Sequence, residues 1–126
     1  MRKIFSSFIC LAITAMAYAA DYTKDSPEVI KIKIANGQAV LLDVREKNEW
    51  DESHISNAKW LPLSKISNGT TKQEIEAVVG SGKPVYIHCK SGIRCMKAAE
   101  AFEKLGIKAE AINGSFADLK KTFDTK

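Results

Sequence analysis

The sequence predicts a small α/β domain on a parallel sheet, with helices on both faces. Two apolar runs, "AVLLDV" and "PVYIH", lack alternation, as strands covered on both sides do. Stretches with helical spacing separate them, each closed by Asn-Gly, Gly-Ser-Gly or a lone Gly. Strands alternating with helices over so short a chain imply parallel pairing through crossover helices. A chain of 126 residues has room for one such domain and not for two.

In chain order, Ser26-Pro27-Glu28 starts a helix that runs to about Ala35. Serine caps it, proline sits in the first turn, and an acid lies near the positive end of the helix dipole. Asn36-Gly37 stops it, and the Val40-Leu41-Leu42 strand follows. "EKNEWDESH" reads as a short charged helix turning Trp50 inward, and "AKWLPLS" as a brief strand ending at Pro62. Thr70 or Thr71 caps "KQEIEAVV", whose Ile75, Val78 and Val79 share a face, and Gly80-Ser81-Gly82 breaks it. "PVYIH" is the second buried strand. Ile93, Met96, Ala99, Phe102 and Leu105 mark the longest helix, closed by Gly106. "IKAEAI" is a third, more open strand and "SFADLKKTF" a final helix.

Residues 1–19 stand apart from this pattern. Arg2 and Lys3 precede an apolar run from Ile4 to Ala17, and Ala17-Tyr18-Ala19 places small residues where a signal peptidase reads them. The run is shorter than the ~20 residues of a spanning helix, and no basic stop follows it. Cys10 lacks the preceding small residue of a lipidation site. The expectation is a cleaved signal peptide, 1–19, a domain over 20–126, and a periplasmic or secreted protein without stable membrane association. Cleavage leaves 17 basic against 15 acidic residues, a net charge of +2. That balance is too mild and scattered for a nucleic-acid partner. It also leaves two cysteines, Cys89 and Cys95, flanking a loop too short for a bridge to add much stability.

The chemistry is expected in "HCKSGIRC", residues 88–95. Ligands of parallel sheets bind beyond the carboxyl ends of strands, and Cys89 falls at such an end. The following backbone N–H groups can form an anion nest, and the helix N-terminus adds about half a positive charge. Lys90 and Arg94 add full charges, and Gly92 lets the loop curl tightly. Each effect favours thiolate, so the Cys89 thiol is expected below the free value of ~8.5. Taken alone, Cys89 reads as a small buried residue ending a strand. In this company it reads as a nucleophile.

"LLDVREKNEWDESHISNAKWLPL", "VYIHCKSGIRCMKAAEAFEKLG" and "AEAINGSF" together resemble a single-domain rhodanese of the exported type, over nearly all of residues 20–126. The resemblance implies a three-layer rhodanese-like domain with sulfurtransferase activity and no cofactor. Sulfane sulfur would move from thiosulfate or a similar donor to a thiol or cyanide through a Cys89 persulfide. Arg94 would close the loop and bind the donor's anionic end, and Lys90, Ser91, Gly92 and Ile93 would supply backbone N–H groups. Related phosphatases and arsenate reductases resemble the pattern with a longer loop. Four residues here between Cys89 and Arg94 suit one sulfur atom better than a phosphate. Ser53, Asn57 and Asn113 stand where the family usually has glycine, and left-handed backbone at Asn57 and Asn113 is expected to preserve the two turns.

Cys95 is open to two readings: packing in the first helical turn, or a resolving thiol that attacks the persulfide and leaves a disulfide, which a redox protein partner would then reset. Asp43 and Arg45 read chiefly as an ion pair tying strand to loop, and secondarily as pocket-shaping charges. His54 reads as a structural hydrogen-bond donor and His88 as a packed histidine facing away from Cys89. Trp50 and Trp60 read as core or rim aromatics. No set of residues suggests a metal site. Two alternatives to the enzyme remain: a persulfide carrier without turnover, and a thiol-disulfide redox protein using Cys89 and Cys95.

Overall fold

The computed structural model describes residues 20–125. The expected signal peptide, 1–19, lies outside the described residues. Strands β1 (Val40–Asp43), β2 (Lys59–Trp60), β3 (Val85–His88) and β4 (Ala109–Ala111) form one parallel sheet in the order β2-β1-β3-β4. The register sets Asp43 beside Trp60 on one side and His88 on the other. Strand order reverses between β1 and β3, so the crevice at a topological switch point opens above Asp43 and His88.

Alternation along the strands divides the core. Leu42, Val44, Val85, Ile87 and Cys89 face one layer, made by α3 (Leu63–Ser67), α4 (Lys72–Val79) and α5 (Ile93–Lys104). Ile66, Ile75, Val79, Ala98, Ala99 and Phe102 fill that side. Leu41, Tyr86 and Ile112 face α1 (Pro27–Ala35) and α6 (Phe116–Asp124), which contribute Ile30, Leu119 and Phe123. The result is the expected three-layer arrangement. The short α2 (Lys47–Glu52) buries no residue and lies outside both cores.

The predicted elements are present, with one addition. The expected strand through "AKWLPLS" contracts to Lys59–Trp60, and α3 begins at once after Pro62. Pro62 is the N-cap with φ −68°, the value its ring imposes, and the Leu63 N–H bonds to Val44 O at 2.9 Å. Five residues burying only Ile66 are too few to show a helical period. Thr71 is the cap of α4, accepting the Glu74 N–H at 3.2 Å. Thr70 instead donates its hydroxyl to Lys65 O at 2.6 Å, at the end of α3.

Candidate active site

β3 delivers Cys89 to the crevice, and the next residues turn sharply into α5. Gly92 is the N-cap of α5 with φ 98°, a left-handed conformation that side chains resist. The backbone, not crowding, sets this preference: a Cβ there would stand at ordinary contact distance, 3.5 Å from Asn113 Oδ1 and 3.6 Å from the Tyr22 hydroxyl. α5 therefore starts without a capping side chain of its own. The sulfur of Cys89 takes that place, accepting the N–H groups of Gly92 at 3.1 Å and Cys95 at 3.3 Å. From the α6 side, Phe116 N–H holds Lys90 O at 2.9 Å and pins the loop.

The Cys89 thiol is lowered to about 5. The Cys95 thiol beside it is the largest cause, and the amides of Cys95, Gly92 and Ser91 add to it against the cost of burial. Cys95 S–H also lies 3.2 Å from Gly92 O and 3.6 Å from Ile112 O. One proton cannot serve three acceptors. The amides hold their direction in every case, and the S–H adds to them when it turns from the carbonyls to the sulfur anion. The Cys95 thiol itself is pushed far above the usual range, first by its hydrogen bond with Cys89 and then by burial. Both cysteines are free, and both are buried.

Arg94 lies on the first turn of α5, held protonated first by its hydrogen bonds to Glu49 and in smaller part by the Cys89 charge. Its guanidinium is taken by Glu49 of α2 in a two-point pair, Nη1 to Oε1 at 2.6 Å and Nη2 to Oε2 at 2.8 Å. The same Oε1 accepts Glu46 N–H at 3.1 Å. The Arg94 hydrogen bonds, foremost, depress Glu49 to about 2. The sequence did not single out Glu49, which reads there as one acid in a solvated helix.

Asp43 and Arg45 form a buried pair, with Arg45 Nη2 to Asp43 Oδ2 at 2.8 Å and Nε to both carboxylate oxygens. Arg45 also donates to Ser53 O at 2.7 Å and lies 3.7 Å over the Phe116 ring. His88 faces away from Cys89, fully buried, with Nε2 3.7 Å from Asp43 Oδ2 and both ring nitrogens without a hydrogen bond. Burial, chiefly, lowers it to about 4. His54 Nδ1 lies 2.8 Å from Trp50 O, and its ring stacks on Trp50 at 3.6 Å. Trp60 donates Nε1–H to Arg45 O at 2.9 Å. Arg45, Glu49, Glu52, Ser53, Lys90 and Phe116 line a half-open cavity of about 280 Å³ beside the loop. Among the described residues, no group of three His, Cys, Asp or Glu side chains could hold a metal ion. Nor is any described helix long and apolar enough to cross a membrane.

The family model of the rhodanese-like domain matches residues 26–122. The chain belongs to the rhodanese-like family. Bacillus subtilis (strain 168) YqhL, an uncharacterized protein, is 34% identical over 103 residues, covering 82% of this chain and 76% of that one. A putative mitochondrial thiosulfate sulfurtransferase of Schizosaccharomyces pombe is 34% identical over 114 residues, covering 85% and 77%. Among solved structures, the reduced Bacillus anthracis CoADR-RHD superposes with a TM-score of 0.63 at 29% identity. That match covers 82% of this chain and 17% of the other.

Within this rhodanese-like domain, the departures from the usual glycines have a simple account, different from the one expected. No described residue other than glycine has positive φ, so Asn57 and Asn113 do not preserve their turns by left-handed backbone. Right-handed or extended turns suffice there, and Asn113 instead directs Oδ1 toward Gly92. Ser53 has φ −166°, extended backbone open to any residue, and contributes its carbonyl to Arg45. Of the four expected loop amides, Gly92 hydrogen-bonds the sulfur and Ser91 helps lower its pKa, while Cys95 adds one that was not expected.

Proposed function

We propose that this rhodanese-like protein is a sulfurtransferase with Cys89 as nucleophile and sulfur carrier. The carrying observation is the Cys89 sulfur seated on the first amides of α5, with Gly92 and Cys95 N–H groups 3.1 and 3.3 Å away. That seat stabilises an anion at sulfur both as thiolate and as the leaving group of the second half-reaction. The Cys89 thiolate attacks the outer sulfur of a thiosulfate-like donor, the S–S bond of the donor breaks, and sulfite leaves with the electron pair. The persulfide then gives its outer sulfur to cyanide or a thiolate, and the Cys89 thiolate returns. No net oxidation occurs and no cofactor is needed.

Lys90 and the α5 dipole favour an anionic donor at the mouth. Arg94 reaches the donor only by sharing or leaving Glu49. Cys95, whose thiol lies beside Cys89 at the start of α5, serves as an S–H donor to the sulfur anion. Export with cleavage after Ala19 belongs to the same proposal, and N-terminal sequencing of the protein from a periplasmic fraction tests it.

Intact-mass measurement after incubation with thiosulfate tests the central step. A gain of one sulfur atom that disappears in Cys89→Ser is expected, followed by many turnovers of thiocyanate formation when cyanide is supplied. Sulfur uptake without turnover points to a carrier that hands sulfur to a protein partner. No uptake from any sulfane donor overturns the proposal and favours thiol-disulfide exchange between Cys89 and Cys95, with a redox protein as partner.

A further inference from the structure

We propose that Tyr22, outside the loop by 67 residues of chain from Cys89, is a positioning residue that locks Gly92 so that the donors around Cys89 face its sulfur. Three observations support the assignment. The Tyr22 hydroxyl donates to Gly92 O at 2.8 Å. Its ring carbon Cε1 stands 3.7 Å from the place a Gly92 Cβ would occupy. The segment carrying it is fixed at both ends of its path. Tyr22 bridges Ala111 in parallel, extending the sheet past β4, and Thr23 N–H bonds Ala111 O at 2.8 Å. Two residues on, Asp25 Oδ2 accepts the Tyr86 hydroxyl at 2.5 Å and Lys33 Nζ at 2.9 Å.

Gly92 is where such a hold matters. Its N–H points to the Cys89 sulfur, and its C=O accepts from Tyr22 and lies within reach of the Cys95 S–H. Glycine at φ 98° has no side chain to fix these directions, so the hydrogen bonds on its two sides fix them. With the Tyr22 hydroxyl on the carbonyl, Gly92 O is satisfied without Cys95, and the S–H is released to turn toward Cys89. Without that hydroxyl, Gly92 O loses its side-chain donor and draws the Cys95 S–H more strongly, in competition with the sulfur. The charged and titratable groups around Cys89 are Cys95 and Arg94 of α5, Glu49 of α2 through Arg94, Lys90 of the loop, and the Asp43–Arg45–His88 group at the strand ends. Of these, only the Cys95 S–H lies within reach of Gly92 O.

The inference deepens the sulfurtransferase proposal, but its first readout does not need that activity. Tyr22→Phe keeps the ring and removes the hydroxyl. Titration of the Cys89 thiolate by its ultraviolet absorbance is expected to shift upward by about one pH unit in this variant, with the thermal midpoint nearly kept. Persulfide formation from thiosulfate is expected to slow several-fold below the shifted midpoint and to converge with the wild-type rate above it. A purely structural role would lower the rate equally at every pH. Asp25→Ala, which removes the acceptor of Tyr86 and Lys33 without touching the loop, is expected to shift the titration in the same direction by less. Unchanged titration in both variants overturns the proposal. A shift in titration with no sulfur uptake even in the wild type leaves Tyr22 in place and removes the sulfurtransferase reading instead.

Discussion

Glu49 of α2 grips Arg94 of α5 at two points, 2.6 and 2.8 Å, across 45 residues of chain. The charge of Arg94, on the first turn after the Cys89 loop, is thus neutralised by a carboxylate, which on the sulfurtransferase proposal a donor anion shares or displaces. Glu49→Gln keeps the shape and removes the charge. With thiosulfate, persulfide formation is expected to rise about fivefold, the equivalent of ~1 kcal/mol for a partly exposed pair. A neutral polysulfane donor should show no change. Equal changes with both donors would mean that the pair holds the loop and does not screen the donor. Because the pair depresses Glu49 to about 2, it is complete above its ordinary range near 4.5 and is lost only as pH falls through about 2.

Cys89 is expected to be half ionised near pH 5, so donor attack should be nearly flat with pH from neutral upward. The measurement is the pH profile of persulfide formation. A midpoint near the free value of ~8.5 would remove the role assigned to the amide seat.

Cys95 separates donor from resolving thiol. Cys95→Ser keeps a hydroxyl donor and should hold the Cys89 titration near its wild-type midpoint. Cys95→Ala should raise it by about one to two units, the worth of a hydrogen bond to an anion. Sulfide release without added thiol should be the same in Cys95→Ser as in wild type. Its loss in that variant would restore the resolving role.

The Asp43–Arg45 pair should dominate point-mutant stability at the site. Its side chains are 0% and 5% exposed, so removing one partner strands a buried charge. Asp43→Asn or Arg45→Met alone should each cost about 3–5 kcal/mol by denaturant unfolding. The double variant should lose much less than the sum. Additive losses would show that the two side chains do not act as a pair.

His88 predicts an acid limb in the stability curve. Held neutral to about pH 4 in the fold, against 6.5 when exposed, it contributes stability above 6.5 that is lost as pH falls through about 4. His88→Leu should flatten that limb and, by removing two unpartnered buried nitrogens, leave stability near neutral pH unchanged or higher. A limb that persists unaltered in the variant assigns it to other groups.

Much of the setting of Cys89 was legible because it is local. Strand β3, the Cys89 position, the Gly92 turn and the start of α5 lie within twenty consecutive residues, where period, glycine and charge speak directly. Thr70 and Thr71 show the limit of this. Either could cap α4 by spacing, and only the packing of α3 assigns Thr70 to Lys65. α3 itself was hidden, since one buried residue makes no pattern.

From the chain alone came the three layers, the place of Cys89 between a buried strand and the longest helix, and the size of the loop that follows it, all of which rest on patterns closed within one turn or one crossover. Tertiary structure decided who partners the charges. Glu49 reaches Arg94, and Tyr22 reaches Gly92, across separations of 45 and 70 residues. Such pairs leave no periodic trace, because they depend on how elements far apart in sequence pack against one another at the mouth of the sheet.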